Sequence, residues 1–205
     1  KDNIETKDSM HTSAGTIALA NNLANQDAFL VKKLREAGAV VLGKANMTEL
    51  ANGMSSEMWA GYSSRGGQTL NPYGDPSLFV GGSSSGSAVA VASNFSVLSV
   101  GTETDASILS PAIQNSVVGI KPTVGLVSRS GIIPFTYSQD TAGTFARTVK
   151  DAAILLGALT GIDKDDVATY KSEGRLHQDY TIYLEQEGLN GARIGLFNNA
   201  PKDYY

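Results

Sequence analysis

No cysteine occurs anywhere in the 205 residues. Disulfides, thiolate zinc sites, thiol nucleophiles and iron–sulfur clusters are excluded together, and no metal or other cofactor is expected. The absence suits a reducing cytoplasm, which is the expected setting, although an exported protein could also lack cysteine. Histidine is nearly as scarce, with His11 and His177 alone, so imidazole base catalysis has two candidates. Charged residues make up 18% of the chain and the net charge is −4, with no run of Lys or Arg. A nucleic-acid partner, which needs a basic surface, is therefore not expected. No apolar stretch reaches the ~18 residues of a membrane-spanning helix. The nearest, residues 88–100, is broken by Ser93, Asn94 and Ser96, so no membrane partner is expected either.

What is present is enough for one sizeable core. Hydrophobic residues make up 41%, which together with the low charge favours buried sheets over a charge-laced helical bundle. "QDAFLVKKLREA", residues 26–37, places Phe29, Leu30, Leu34 and Ala37 on one helical face, and Gly38 suits a left-handed C-terminal cap. "AVVLGK" predicts a buried strand ending near Gly43, followed by a short helix in "ANMTELANG" and a long Gly/Ser/Asn-rich surface excursion to Asp75. "LFV" (78–80) and "FSVLSVGTE" (95–103) predict strands, and "SAVAVAS" and "VKDAAILLGALTG" (149–161) predict helices. Residues 163–188 turn polar and are expected on the surface, before a last strand in "ARIGLFN". Alternation of strands and helices argues for an α/β fold with a largely parallel or mixed sheet.

"GGSSSGS", residues 81–87, joins a predicted strand to a predicted helix. It can be a tight turn and nothing more. As a phosphate cradle it lacks a following G-K-[ST] and does not match G-x-G-x-x-G. As a nucleophile elbow, Gly82-x-Ser84-x-Gly86 satisfies G-x-S-x-G in the required strand–turn–helix context. Such an enzyme needs a histidine downstream, and His177 lies in the polar excursion, where a solvated surface role fits it better. A lysine can replace histidine if burial or positive potential brings its pKa down from ~10.4.

"KDN" (1–3), "AGAVVLGKANMTELA" (37–51), "GGSSSGSAVAVA" (81–92), "VGTETDASILSPA" (100–112) and "VVGIKPTVGLVSRSGIIP" (117–134) carry a resemblance. In this order they resemble the amidase signature family, the Ser–cis-Ser–Lys amide hydrolases, almost without interruption to about Gly161. "SSEMWAGYSSRGGQTLNPYG" is similar to the peptide-amidase-like branch. The resemblance implies the amidase signature fold, a mixed β-sheet core flanked by helices on both faces in three α/β/α layers. Residues 1–205 would form a partial domain, because family members run to about twice this length or more.

By the same resemblance, the nucleophile falls on Ser107, the bridging serine in a cis peptide on Ser83, and the catalytic lysine on Lys1. Lys1, kept neutral by burial, would take a proton from Ser83, which takes one from Ser107 as it attacks the amide carbonyl. Water would then hydrolyse the acyl-enzyme to acid, after ammonia or an amine has left. The backbone N–H groups of Thr104, Asp105, Ala106 and Ser107 would form the oxyanion hole, with Ser84 and Thr102 supporting the relay. The implied partner is a small-molecule or peptide amide, and a homodimer is compatible with the family. The alternatives are a catalytically impaired relative acting as a binding scaffold and a glutaminyl amidotransferase A-like subunit.

Two departures from the family's usual G-T-D-x-G-G-S-I-R stand out. Leu109 replaces the arginine, which argues against an acidic substrate group at that point. Ala106 replaces a glycine, and if that position needs φ > 0 the alanine costs roughly 1 kcal/mol or more. Trp59, Tyr62 and Met58 are candidates to line an acyl pocket or simply to pack the long loop, while Asp140 and Arg147 are expected to fix the loop after "KPT". Lys1 is expected near the end of a buried strand whose preceding residues are missing. At a fraying terminus its burial and lowered pKa would be hard to keep, sheet edges would be exposed, and the isolated piece is expected to be inactive.

Overall fold

A computed structural model describes residues 1–195. Its centre is a three-stranded sheet. A separate two-stranded ribbon, β1 (Tyr62–Ser63) with β2 (Gly67–Gln68), punctuates the long loop. The central strands are β3 (Leu98–Glu103), β4 (Val118–Ile120) and β5 (Thr141–Ala146), in the order β3-β5-β4. Both outer strands run antiparallel to β5, in registers such as Thr102↔Ala142 and Gly119↔Phe145. β3 and β4 therefore run parallel to each other, as their connecting helix dictates, and β5 has inserted between them in the opposite sense. This insertion is why both pairings in the central sheet are antiparallel, although the sequence alternates strand and helix.

Helices cover both faces, giving the expected α/β layers. α1 (Phe29–Glu36) and α4 (Val149–Leu159) form one layer. Their Leu30, Val31, Leu155, Leu156 and Leu159 bury against Ala142 and Val127. α2 (Ser85–Ala92) and α3 (Leu109–Gln114) form the other, with Ala88, Val91, Ile108 and Ala112 packed on Phe145. The period-2 pleat separates the two cores: on β5, Ala142 faces α4 whereas Phe145 faces α2. Gly38 takes φ +82 just past α1, and Thr148 caps α4 by accepting from Asp151 N–H.

Some expected elements did not form. Residues 39–44 make no strand, because they have no ladder partner, and Val40 and Leu42 are 80% and 74% exposed beside the outer edge of β3. They border an open apolar groove that also contains Phe95 and Val97. "LFV" is not a strand either, since the carbonyls of Phe79 and Val80 accept from the side chains of Asn71 and Asn115. The helix expected in "ANMTELANG" is a 3-10 turn, Glu49–Asn52, with Leu50, Ala51 and Asn52 all at positive φ. The polar stretch after Asp163 is anchored by buried Asp163, Asp166 and Thr169. Residues 192–195 form no strand, and the rest of "ARIGLFN" lies outside the described residues. Among the described residues, no helix is long and apolar enough to cross a membrane.

Candidate active site

Small residues bring the site together. Gly101 lies where an added Cβ would fall 2.5 Å from a Phe145 ring carbon and 2.7 Å from Ser84 Oγ, so β3 and the start of α2 approach at backbone distance. Ser84 uses that closeness: its Oγ donates to Thr102 O at 3.0 Å and accepts from Thr102 N at 3.3 Å. The Gly82–Ser83 peptide just before it is cis. Ser83 is fully buried, and its carbonyl accepts from Thr48 N at 3.0 Å.

Lys1 reaches this point from the opposite side. Its Nζ donates to Ser83 Oγ at 2.8 Å and to Thr102 O at 3.0 Å, and its α-nitrogen donates to Val100 O at 3.1 Å. The residue is buried, 8% exposed. Burial pushes the ammonium down from 10.5 to about 7, with the Asp140 and Glu103 carboxylates pulling the other way. A buried lysine near 7 can be neutral at physiological pH, which a base requires. Asn3 donates to Thr102 Oγ1 at 3.0 Å, so Thr102 and Ser84 both brace the group around Lys1 and Ser83.

Ser107 lies next to this group, 7% exposed, with its carbonyl accepting from Ser84 N at 3.2 Å. Its Oγ is turned toward Asp105 O at 3.5 Å, and no Ser107–Ser83 hydrogen bond is formed. Among the described residues, no protein acceptor takes the backbone N–H of Thr104, Asp105, Ala106 or Ser107. Ala106 adopts φ +55, the left-handed conformation that glycine would adopt without strain. Glu103, 4% exposed, accepts from Ile108 N at 2.6 Å and Leu109 N at 2.9 Å, which fixes the far end of this loop at the start of α3.

The histidine-dependent arrangement does not assemble. Ser84 is fully buried with its hydroxyl committed to β3. His177 is exposed, 3.0 Å from Tyr183 OH through Nε2 and packed on Tyr180. Trp59 and Tyr62 are 55% and 45% exposed, and Trp59 stacks edge-on against Phe79. Arg147 holds the carbonyls of Val91 and Ser96, a structural role.

Asp140 does more than fix its own loop. It accepts from Phe135 N at 2.7 Å and Thr136 N at 2.9 Å, and also from Thr104 Oγ1 at 2.5 Å. A nearby cavity of about 150 Å³ is bounded by Thr102, Thr104, Asp140 and Asn3, and by the 129–137 segment, but not by Ser83 or Ser107. Sequence reasoning missed the roles of Asn3 and of Asp166, which holds Arg129 through three hydrogen bonds, two from the guanidinium at 2.6 and 2.8 Å and one from its backbone N–H at 2.9 Å. These partners lie up to 99 residues apart in the chain, and no local signal pairs them.

The family model described as Amidase matches residues 1–205. A probable amidase of Arabidopsis thaliana is 49% identical over 200 residues, covering 96% of this chain and 38% of that protein. The A-type component of the glutamyl-tRNA(Gln) amidotransferase of Carboxydothermus hydrogenoformans is 42% identical over 205 residues, covering all of this chain and 39% of its own length. The solved structure of the native peptide amidase of Stenotrophomonas maltophilia superposes with a TM-score of 0.89 at 55% identity, over 93% of this chain and 39% of that one. This chain thus spans well under half the length of the relatives it matches.

Proposed function

The chain belongs to the amidase family, and from that premise we propose that it carries the catalytic core of an amide hydrolase with Ser107 as nucleophile and a Ser83–Lys1 proton relay. The observation that carries this reading is the 2.8 Å hydrogen bond from Lys1 Nζ to Ser83 Oγ, made by a lysine pushed down to about 7. In the reaction, neutral Lys1 accepts the Ser83 proton while Ser83 takes the proton of Ser107, whose Oγ bonds to the amide carbonyl carbon. For this Ser107 Oγ must turn from Asp105 O toward Ser83. Catalytic hydrogen bonds are commonly loose before substrate binds.

The oxyanion would be held by the uncommitted N–H groups of Thr104 to Ser107, each such donor being worth about 3–4 kcal/mol of barrier. The C–N bond then breaks, the leaving amine takes the proton back through the relay, and water attacks the Ser107 ester by the same path. The product is a carboxylic acid with ammonia or an amine. Thr102 and Ser84 are positioning residues in this scheme, Thr102 accepting from Lys1 and Ser84 while Ser84 ties the loop to β3.

The substrate is a small-molecule or peptide amide, the second favoured by 55% identity to a peptide amidase. An amidotransferase A-like role is the second reading, supported at 42% identity, and a scaffold role rests on the strained Ala106 alone. A cytoplasmic setting and a homodimer complete the proposal. Fluorophosphonate labelling of the complete natural protein, followed by mass spectrometry of the modified peptide, tests it. The expected label is on Ser107 and is lost in Lys1→Ala; a label on Ser84, or none, overturns the assignment.

A further inference from the structure

Glutamate stands at 103, where the family's usual G-T-D-x-G-G-S-I-R has aspartate, and leucine stands at 109, where that pattern ends in arginine. The two positions meet in the structure. The side chain at 109 is neutral and 43% exposed, and the Glu103 carboxylate takes the backbone beside it instead. Its Oε2 accepts from the N–H groups of Ile108 at 2.6 Å and Leu109 at 2.9 Å. Glu103 is 4% exposed, so these charge-assisted bonds form out of water, where they are strong and costly to break. An aspartate on the same backbone would end roughly 1.5 Å short of them.

The result is an arc closed at both ends by one residue. Glu103 is the last residue of β3, in register with Thr141 of β5, and its side chain holds the first N–H groups after Ser107. Thr104, Asp105, Ala106 and Ser107 lie between. Thr104 Oγ1 donates to Asp140 at 2.5 Å and Ser107 O accepts from Ser84 N at 3.2 Å, which ties the arc at two further points. Ala106 stays at φ +55 inside it, a conformation that alanine keeps only where its surroundings impose it. Because Oε2 takes the N–H groups of residues 108 and 109, the donors left over for a developing oxyanion are those of the arc.

Glu103 also acts through charge. Its carboxylate and that of Asp140, from the loop before β5, favour the ammonium form of Lys1 against burial, while Asp2 and Lys44 act on the neighbouring α-nitrogen. We propose that Glu103 is a positioning residue of the amide hydrolysis, its reach closing the Thr104–Ser107 arc and its charge acting on Lys1. The proposal rests on the amide-hydrolase reading above and deepens it. Reach and charge can be separated: glutamine keeps an acceptor oxygen at the same reach without the charge, and aspartate keeps the charge without the reach.

The test is kcat, KM and the pH profile of the complete natural protein, of Glu103→Asp and of Glu103→Gln, with butyramide and a dipeptide amide as substrates. Glu103→Asp should lose about 10- to 100-fold in kcat, as a displacement of about 1 Å does, with KM within about twofold and the acid limb unmoved. Glu103→Gln should lose less kcat at its optimum, and its acid limb should move down by about one pH unit, because Lys1 no longer feels that carboxylate. A parental kcat in Glu103→Asp, or an acid limb that stays in place in Glu103→Gln, overturns the proposal and leaves the hydrolase standing. A purely structural glutamate gives that result, with only a lower unfolding midpoint. If the unaltered protein turns over no amide, the hydrolase reading falls and the rate of fluorophosphonate labelling at Ser107 decides. Labelling slower by about tenfold or more in Glu103→Asp supports the positioning role, and equal labelling or none overturns it. Should Glu103→Asp fail to fold, the acid limb of Glu103→Gln decides alone.

Discussion

The two faces of the central sheet are built from different materials. On one, α4 brings Leu155, Leu156 and Leu159 down on Ala142, a leucine-rich contact. On the other, α2 reads "SGSAVAVA" and buries Ser85, Ser87, Ala88 and Val91. Burying a leucine stabilises by about 1.5–3 kcal/mol, whereas alanine and serine contribute far less. The small-residue face exchanges that stabilisation for approach: Gly101 and Gly86 have no room for a Cβ against Ser84 and Asn46. Backbone and hydroxyl groups meet there directly, so Thr102 O can accept from both Lys1 Nζ and Ser84 Oγ. One face holds the molecule together and the other holds Lys1, Ser83, Ser84 and Thr102 at hydrogen-bond distance.

Substitutions on the two faces should therefore fail differently. The largest effect is Ser107→Ala, expected to reduce kcat at least about 1000-fold with an unchanged melting temperature, measured on the complete natural protein. Leu159→Ala, fully buried under the opposite face, should cost about 2–5 kcal/mol in denaturant unfolding. Its kcat should stay near the parent value while the protein remains folded, and a kcat loss matching that of a site variant would erase the distinction between the faces. Gly101→Ala should do both in smaller measure: about 1–3 kcal/mol of overpacking, with a fall in kcat as Ser84 is pushed away.

Two gentler tests sharpen the picture. With the Lys1 ammonium at about 7 and the neutral amine as the active form, kcat/KM should fall about tenfold per pH unit below 7. Asp140 raises that pKa, so Asp140→Asn should move the acid limb to lower pH, and an unmoved limb would separate Lys1 from the base. The smallest effect is Ala106→Gly. Relieving a left-handed alanine at φ +55 should stabilise by about 1 kcal/mol, read as a rise in the unfolding midpoint.

Helices α1, α2 and α4 and strand β3 were legible, because each carries its period or its apolar run within one segment. β5 was not, since "TAGTFA" is small and weakly apolar and becomes central only by inserting between β3 and β4. The run "AVVLGK" misled for the opposite reason: it has strand composition, but a strand also needs a partner for its N–H and C=O groups. At the site, Lys1, Ser83 and Ser107 could be named from motif resemblance, and the question over Ala106 could be posed. Asp140 could be read as fixing its own loop, but its contact with Thr104 and the contact of Asn3 with Thr102 could not, because each joins residues more than 30 positions apart.

By itself the sequence determined chemistry and local form: no thiol, almost no imidazole, a lysine and serines in recognisable order, and helices written in their periodicity. Tertiary structure alone decided that Lys1 Nζ meets Ser83 Oγ beneath β3, out of water. The sequence names a lysine, but only burial brings its pKa down to about 7, because the cost of keeping its charge depends on what surrounds it.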